Sequence, residues 1–424
     1  MLRALSRHGT HTPTAPQPLA ARALDFWYAI ADEEADLLAQ FSDGELSAEE
    51  RGAAQAANKR IVQGNTKVLT DLIFHVLLTA EAAEDEDDEV PNLMATATDT
   101  LSRVACASGR GGEIVAHILP FAQANFAHGE MKNRDAAIMS LASVQESVHP
   151  HACLPARPGK AAPPVNVLAG VNAQVVGVLL GRLTGGAGGA GREPSATVRE
   201  SICYYLSRVC ESHLAHVTGT PEATLQLVGS LQAALEQDNK VAKQAAIALN
   251  NIFSGLNGRD TEGEAWDVLF VGGAGAAGAA GAAGGGGARY RTIFTGQLLF
   301  NLIKTLVTKL GTPGTPEDVA KEFTTAAEEL LRLCVRGAPE DQEITMGLVK
   351  MLMGPLATPI VLAGKDAATI AKEKAAQEYF LNMIYTCVAA AALCLFFLVH
   401  VAGLPRRPHQ LPLTFPLPPK TRAA

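Results

Sequence analysis

Aromatic side chains make up only 5% of this 424-residue chain, although 48% of its residues are hydrophobic. A core drawn so largely from Ala, Leu, Val and Ile favours closely packed helices. It disfavours a β-sandwich, whose strands prefer β-branched and aromatic residues. The chain also lacks a cysteine framework. Its seven cysteines (Cys106, Cys153, Cys203, Cys210, Cys334, Cys387 and Cys394) are scattered, odd in number and never arranged as Cys-x-x-Cys. That excludes a disulfide scaffold and a zinc ribbon, and it fits a reducing compartment with the thiols as small buried hydrophobes. A basic stripe is missing too. A net charge of −8 argues against nucleic-acid binding and suits an acidic receptor for basic partners. Met1–Pro18 carries Arg3, Arg7 and three prolines but no apolar run of signal-peptide type.

Catalytic motifs are equally scarce. Gly186–Gly191 and Gly273–Gly278 both satisfy G-x-G-x-x-G, but each lies in an Ala/Gly tract with no preceding strand, so both read as linkers. His213 and His216 form the one metal-like pair, with no third or fourth ligand nearby. No Ser/His/Asp or Cys/His set falls in a recognisable motif. The expectation is a protein that works by binding, without catalysis, metal or cofactor.

What the chain does contain is a dense acidic run. Glu81, Glu84, Asp85, Glu86, Asp87, Asp88 and Glu89 fall within nine residues that hold no Lys or Arg. Mutual repulsion keeps such a run in water as a loop. On either side, Asn58–Ala80 and Leu93–Ala107 space their apolar residues by three and four, the period of an amphipathic helix. Further helices are expected at Leu24–Phe41, Glu113–His128 (kinked at Pro120), Met131–Ser147, Val171–Leu183, Thr197–Leu214, Glu222–Gln237, Lys240–Leu256, Tyr290–Leu310 and Pro316–Val335. Ser42–Gly52 reads as a polar connection.

Helix pairs of this size recurring about every forty residues are the mark of a HEAT or armadillo-type solenoid. The second helices open alike, with Arg134-Asp135-Ala136-Ala137, Arg199-Glu200-Ser201 and Lys243-Gln244. Charges followed by small residues let neighbouring helices approach and let ions ladder between repeats. The expected fold is therefore all-α, a HEAT-repeat superhelical solenoid over 19–383 with Gly-rich linkers at 185–191 and 272–287. Residues 1–18 and a Pro-rich tail at 405–424 are expected to be disordered.

Three features resemble the importin β (karyopherin β) family. Leu24-Asp25-Phe26-Trp27 leads into Asp32-Glu33-Glu34-Ala35-Asp36-Leu37; the acidic run follows Leu69-Thr70-Asp71-Leu72; and Ile118-Leu119-Pro120-Phe121 precedes Asn133-Arg134-Asp135-Ala136-Ala137-Ile138-Met139. The resemblance is strongest over Leu24–Ser147 and covers the middle of such a receptor. It implies a nuclear transport receptor moving between cytoplasm and nucleus, including the nuclear envelope and pore. First helices would offer outer grooves to Phe-Gly nucleoporins. Second helices and the acidic loop would face inward to a basic cargo or importin α-type adaptor, with Ran-GTP competing there. Partner-binding residues implied are Glu81, Glu84, Asp85, Glu86, Asp87, Asp88, Glu89, Asp135, Glu200 and Tyr204. Where the family has inward tryptophans that stack on basic side chains, this chain has Val90, Tyr204 and Ile247; of these, Tyr204 keeps a ring for a cation–π contact. A HEAT scaffold without a transport role, membrane-tethered or a truncated receptor, is the alternative. It is raised by Ile384–Leu404, whose length suits a tail anchor, a buried terminal helix or a misjoined gene product.

Overall fold

The computed structural model describes residues 17–42, 47–80, 92–108, 112–145, 167–185, 191–218, 220–258, 296–310, 312 and 315–335. The acidic run with Val90, the tract at 272–287, the apolar stretch 384–404 and both chain ends lie outside them. Every regular element among the described residues is an α-helix: α1 Gln17–Ser42, α2 Ala48–Ala57, α3 Ile61–Thr79, α4 Leu93–Ala107, α5 Gly112–Asn125, α6 Met131–Ser143, α7 Val167–Thr184, α8 Ala196–Val217, α9 Pro221–Leu235, α10 Asn239–Gly258, α11 Gly296–Leu310 and α12 Glu317–Val335.

The helix starts follow local chemistry. Orphan N–H groups in a first turn need acceptors. Asn92, Ser195, Thr220 and Asp238 supply them to the N–H groups of Ala95, Val198, Ala223 and Val241. Pro221 opens α9, where its missing N–H costs nothing. Two expectations need correcting. The connection Ser42–Gly52 is partly helix, because Ser47 and Glu50 form a reciprocal capping box that starts α2. Residues 17 and 18, assigned to a disordered segment, already belong to α1. Pro120, where a kink is expected, lies exposed inside α5.

The helices pair as α3/α4, α5/α6, α7/α8, α9/α10 and α11/α12. First helices α3, α5, α7, α9 and α11 pack side by side in one layer, and α1, α4, α6, α8, α10 and α12 in the other. Each hairpin touches chiefly its neighbours, which is the HEAT solenoid. Between the layers runs a continuous core that includes Leu24, Leu69, Ile73, Leu101, Ile118, Ile138, Leu141, Tyr205, Phe253 and Phe323. Phe74 of α3 stacks on Phe121 of α5 at 3.8 Å. The small residues expected at second-helix starts are fully buried (Ala136, Ala137, Ala242 and Ala245), so those helices approach closely. In the sequence, the acidic run falls after α3 and before α4, the two helices of one hairpin.

Candidate partner-binding surface

From α6 onward, each second helix is tied to the next by charges at its start. Arg134 of α6 grips Glu193, just before α8, with two N–H donors at 3.1 and 2.7 Å, and also donates to the carbonyls of His128 and Gly129. Arg182 of α7 approaches the same carboxylate, lies over the Phe126 ring and donates to its carbonyl. Arg199 of α8 donates to Gln237 at 2.6 Å and pairs with Asp238 at 3.6 Å, both just before α10. Lys243 of α10 pairs with Asp318 of α12, whose carboxyl that bond holds below its ordinary range. The ladder expected from the repeated helix starts is present.

Farther along the same helices runs a second set of charges. Arg103 of α4 pairs with Asp32 of α1 at 3.1 Å and lies over the Tyr28 ring. Its hydrogen bond to Tyr28 strengthens the guanidinium's hold on its proton. Asp99, one turn before Arg103, is pushed up by burial and drawn back by Arg103 and by Arg208 of α8. Arg208 in turn pairs with Glu211 at 2.8 Å. Apart from Asp32, which falls in the family-like motif of α1, none of these stood out in the sequence, although the i,i+4 pair Asp99/Arg103 on one helix face is a readable signal.

Of the residues expected to bind a partner, Asp135, Glu200 and Tyr204 are described. Asp135 lies in the α6–α8 seam and accepts a 2.5 Å hydrogen bond from Ser201. Glu200 and Tyr204 follow on α8 one turn apart, half-buried, with the Tyr204 ring packed against the core. Burial pushes both carboxyls up, and Asp135 and Asp238 add to the effect on Glu200. The structure therefore brings Asp135, Glu200 and Tyr204 together along one seam. Ile247, half-buried on α10, offers no ring there.

The histidine pair and the cysteines can also be placed. His213 is buried where α8 departs from helical geometry, with Nε2 3.1 Å from the Gln145 carbonyl. It borders a polar island in which Gln145 and Asn172 exchange hydrogen bonds and Tyr205 donates to Asn172. That is a packing role, and no metal-holding group of His, Cys, Asp or Glu occurs among the described residues. Cys203 and Cys210 are buried, their thiols pushed up by burial, Cys210 to about 12. Cys106 is half-buried. No described helix is long and apolar enough to cross a membrane.

Comparison with known proteins places this arrangement. Importin subunit beta-1 of Arabidopsis thaliana is 26% identical over 237 residues, covering 55% of this chain and 24% of that protein. The chain is similar to importin β over that stretch and folds as a HEAT solenoid. It spans about a quarter of the length of that curated relative. A crystal structure of importin β from a polyethylene glycol condition matches with a TM-score of 0.60 at 18% identity, over 90% of this chain and 38% of that one. The complex of Kap95 with Nup1 matches at 0.50 and 17%, over 95% and 44%. No protein-family model matches the chain. These likenesses show the fold, a HEAT solenoid of the kind seen in importin β.

Proposed function

We propose that the chain works as a nuclear transport receptor of importin β type, binding a basic cargo or adaptor segment on its second-helix face, with Ran-GTP competing for that face. The observation that carries this reading is the seam of Asp135, Glu200 and Tyr204 on the second-helix layer, the layer that also holds α4, the helix that follows the acidic run in the sequence. The net charge of −8 supplies a long-range field of matching sign. Phe-Gly nucleoporin segments would use the opposite layer, where Ile61 and Val68 of α3, Val178 of α7 and Leu225 of α9 are exposed. The structural relative solved with Nup1 supports that assignment. Such a receptor would shuttle between cytoplasm and nucleus.

A binding experiment with three ligands tests the reading. The purified chain should retain an immobilised Phe-Gly segment and a lysine-rich peptide at once, and Ran-GTP should release the peptide but Ran-GDP should not. A chain that holds the peptide with no response to Ran-GTP and no Phe-Gly binding would instead be a HEAT scaffold.

A further inference from the structure

Helix α1 carries a second apolar pattern besides the face it packs. Leu24, Tyr28, Ala31 and Asp32 share one side of the helix. Leu24 and Ala31 are buried there, Asp32 pairs with Arg103 of α4, and the same guanidinium lies over Tyr28. Glu34 turns to a neighbouring flank, where it caps α3. On the side away from α4, Leu19, Ala23, Phe26, Ile30, Glu33 and Leu37 alternate steps of four and three, the heptad seam by which two helices pair. Leu19 is 45% exposed and Phe26 59%, the most of any large hydrophobic residue described. Ala23, Ile30 and Leu37 are half-buried, and the Phe26 ring meets Trp27 edge-on at 5.5 Å. At 1.5 Å of rise per residue the seam is roughly 27 Å long, five turns of an apolar stripe interrupted once by a carboxylate.

The charges beside the seam decide what fits it. Helix α1 holds one cation, Arg22, and five acids, Asp25, Asp32, Glu33, Glu34 and Asp36. Asp32 and Glu34 are engaged inside the fold. Arg22, Ala29 and Asp36, all exposed, form the row that borders the seam on the flank away from Glu34, and Asp25 lies farther round, outside it. We propose that two copies of this chain pair through α1, antiparallel across a two-fold axis. Leu19 then meets the partner's Leu37, Phe26 meets the partner's Ile30, and Arg22 lies beside the partner's Asp36, each contact occurring twice. Ala29 falls next to its own copy on the axis, where a small side chain lets the helices approach. Glu33 lies over the partner's Ala23, and the two Glu33 side chains stand roughly 15 Å apart along the helices. A parallel pair would instead press Glu33 against its copy inside the seam, so like-charge repulsion selects the antiparallel one. This pairing is independent of the partner-binding reading above.

Sedimentation velocity of the full chain between about 1 and 100 μM tests the proposal. One helix pair is at the small end of specific interfaces, so half-association near ~10 μM is expected. Phe26→Glu alters an exposed side chain and should leave the circular dichroism unchanged while keeping the chain monomeric throughout. Arg22→Asp and Asp36→Arg should each weaken pairing about tenfold, and the two changes together should restore it, because they exchange the ends of the same pair. Glu33→Leu completes the seam and should tighten pairing about tenfold or more. A chain that stays monomeric to 100 μM, as it would if a segment of its own covered α1, overturns the proposal. A dimer that Phe26→Glu leaves intact, or one that the charge exchange fails to restore, overturns it as well.

Discussion

Glu34 lies buried against the first turn of α3, its two oxygens accepting from the N–H groups of Ile61 and Val62 at 2.5 and 3.0 Å. A carboxylate from α1 thereby caps a helix twenty-seven residues later, and Asn58 adds a hydrogen bond to the Glu34 carbonyl. The cap explains why Arg60 can enter α3 in a left-handed conformation without a side-chain cap of its own. Replacing Glu34 with Ala should cost about 1–3 kcal/mol, the worth of a lost cap plus stranded buried donors, measured by urea unfolding. Glycines act in the opposite direction. Gly64 of α3, Gly177 and Gly181 of α7 and Gly229 of α9 are helical, and an added Cβ would meet nothing within 4 Å at any of them. Each Gly→Ala change should therefore raise stability by roughly 0.5–1 kcal/mol. Asp135 gives a pH signature. Because burial raises its folded pKa, the proton is held more tightly in the folded chain, so its contribution is present at acid pH and lost as pH rises through the folded value. Asp135→Asn should accordingly match or exceed wild-type stability at neutral pH and lose that advantage in acid, as urea unfolding across pH will show.

The element ties differ in strength by burial. Glu193 is buried between Arg134 and Arg182, themselves largely covered. Glu193→Ala leaves two guanidinium groups without their carboxylate in a dry seam and should cost about 3 kcal/mol. Lys243→Ala breaks a pair whose Asp318 is mostly in water, and should cost no more than about 1 kcal/mol. Comparing the two by thermal unfolding checks whether the α6–α8 seam is the firmer one. The elements also show what was legible in the sequence. The apolar stripes of α4, α6, α8, α10 and α12 recur every three or four residues, so those helices could be read to within a few positions. Helix α2 could not, because Ala54 is its one buried hydrophobic residue and no stripe exists; its signal is the Ser47/Glu50 box alone. The ladder was legible because it repeats at each helix start. Two things had no local trace: the contact of Arg103 with Tyr28 and Asp32, and the burial of Asp135, each of which arises only when separate helices pack together. The role of His213 had no local trace either, since the Gln145 carbonyl it faces comes from a distant turn.

At the scale of the whole molecule, hairpins that touch chiefly their neighbours have stability that sums repeat by repeat, so unfolding in urea should be gradual or stepwise. The same design gives one long second-helix face along which weak charges act collectively. Exposed pairs are worth only about 0–1 kcal/mol each, so a field of this kind shows in encounter rates more than in any single contact. The most direct measurement is the association rate of a lysine-rich helical peptide against salt, for the native chain and for one with Glu84, Asp85, Glu86, Asp87 and Asp88 changed to Ser or Asn, with circular dichroism to confirm folding. A receptor for basic partners should lose rate and salt slope together when the loop is neutralised, because a Debye length of about 8 Å at physiological strength already weakens the native field. Equal rates and equal slopes in the two proteins would contradict it.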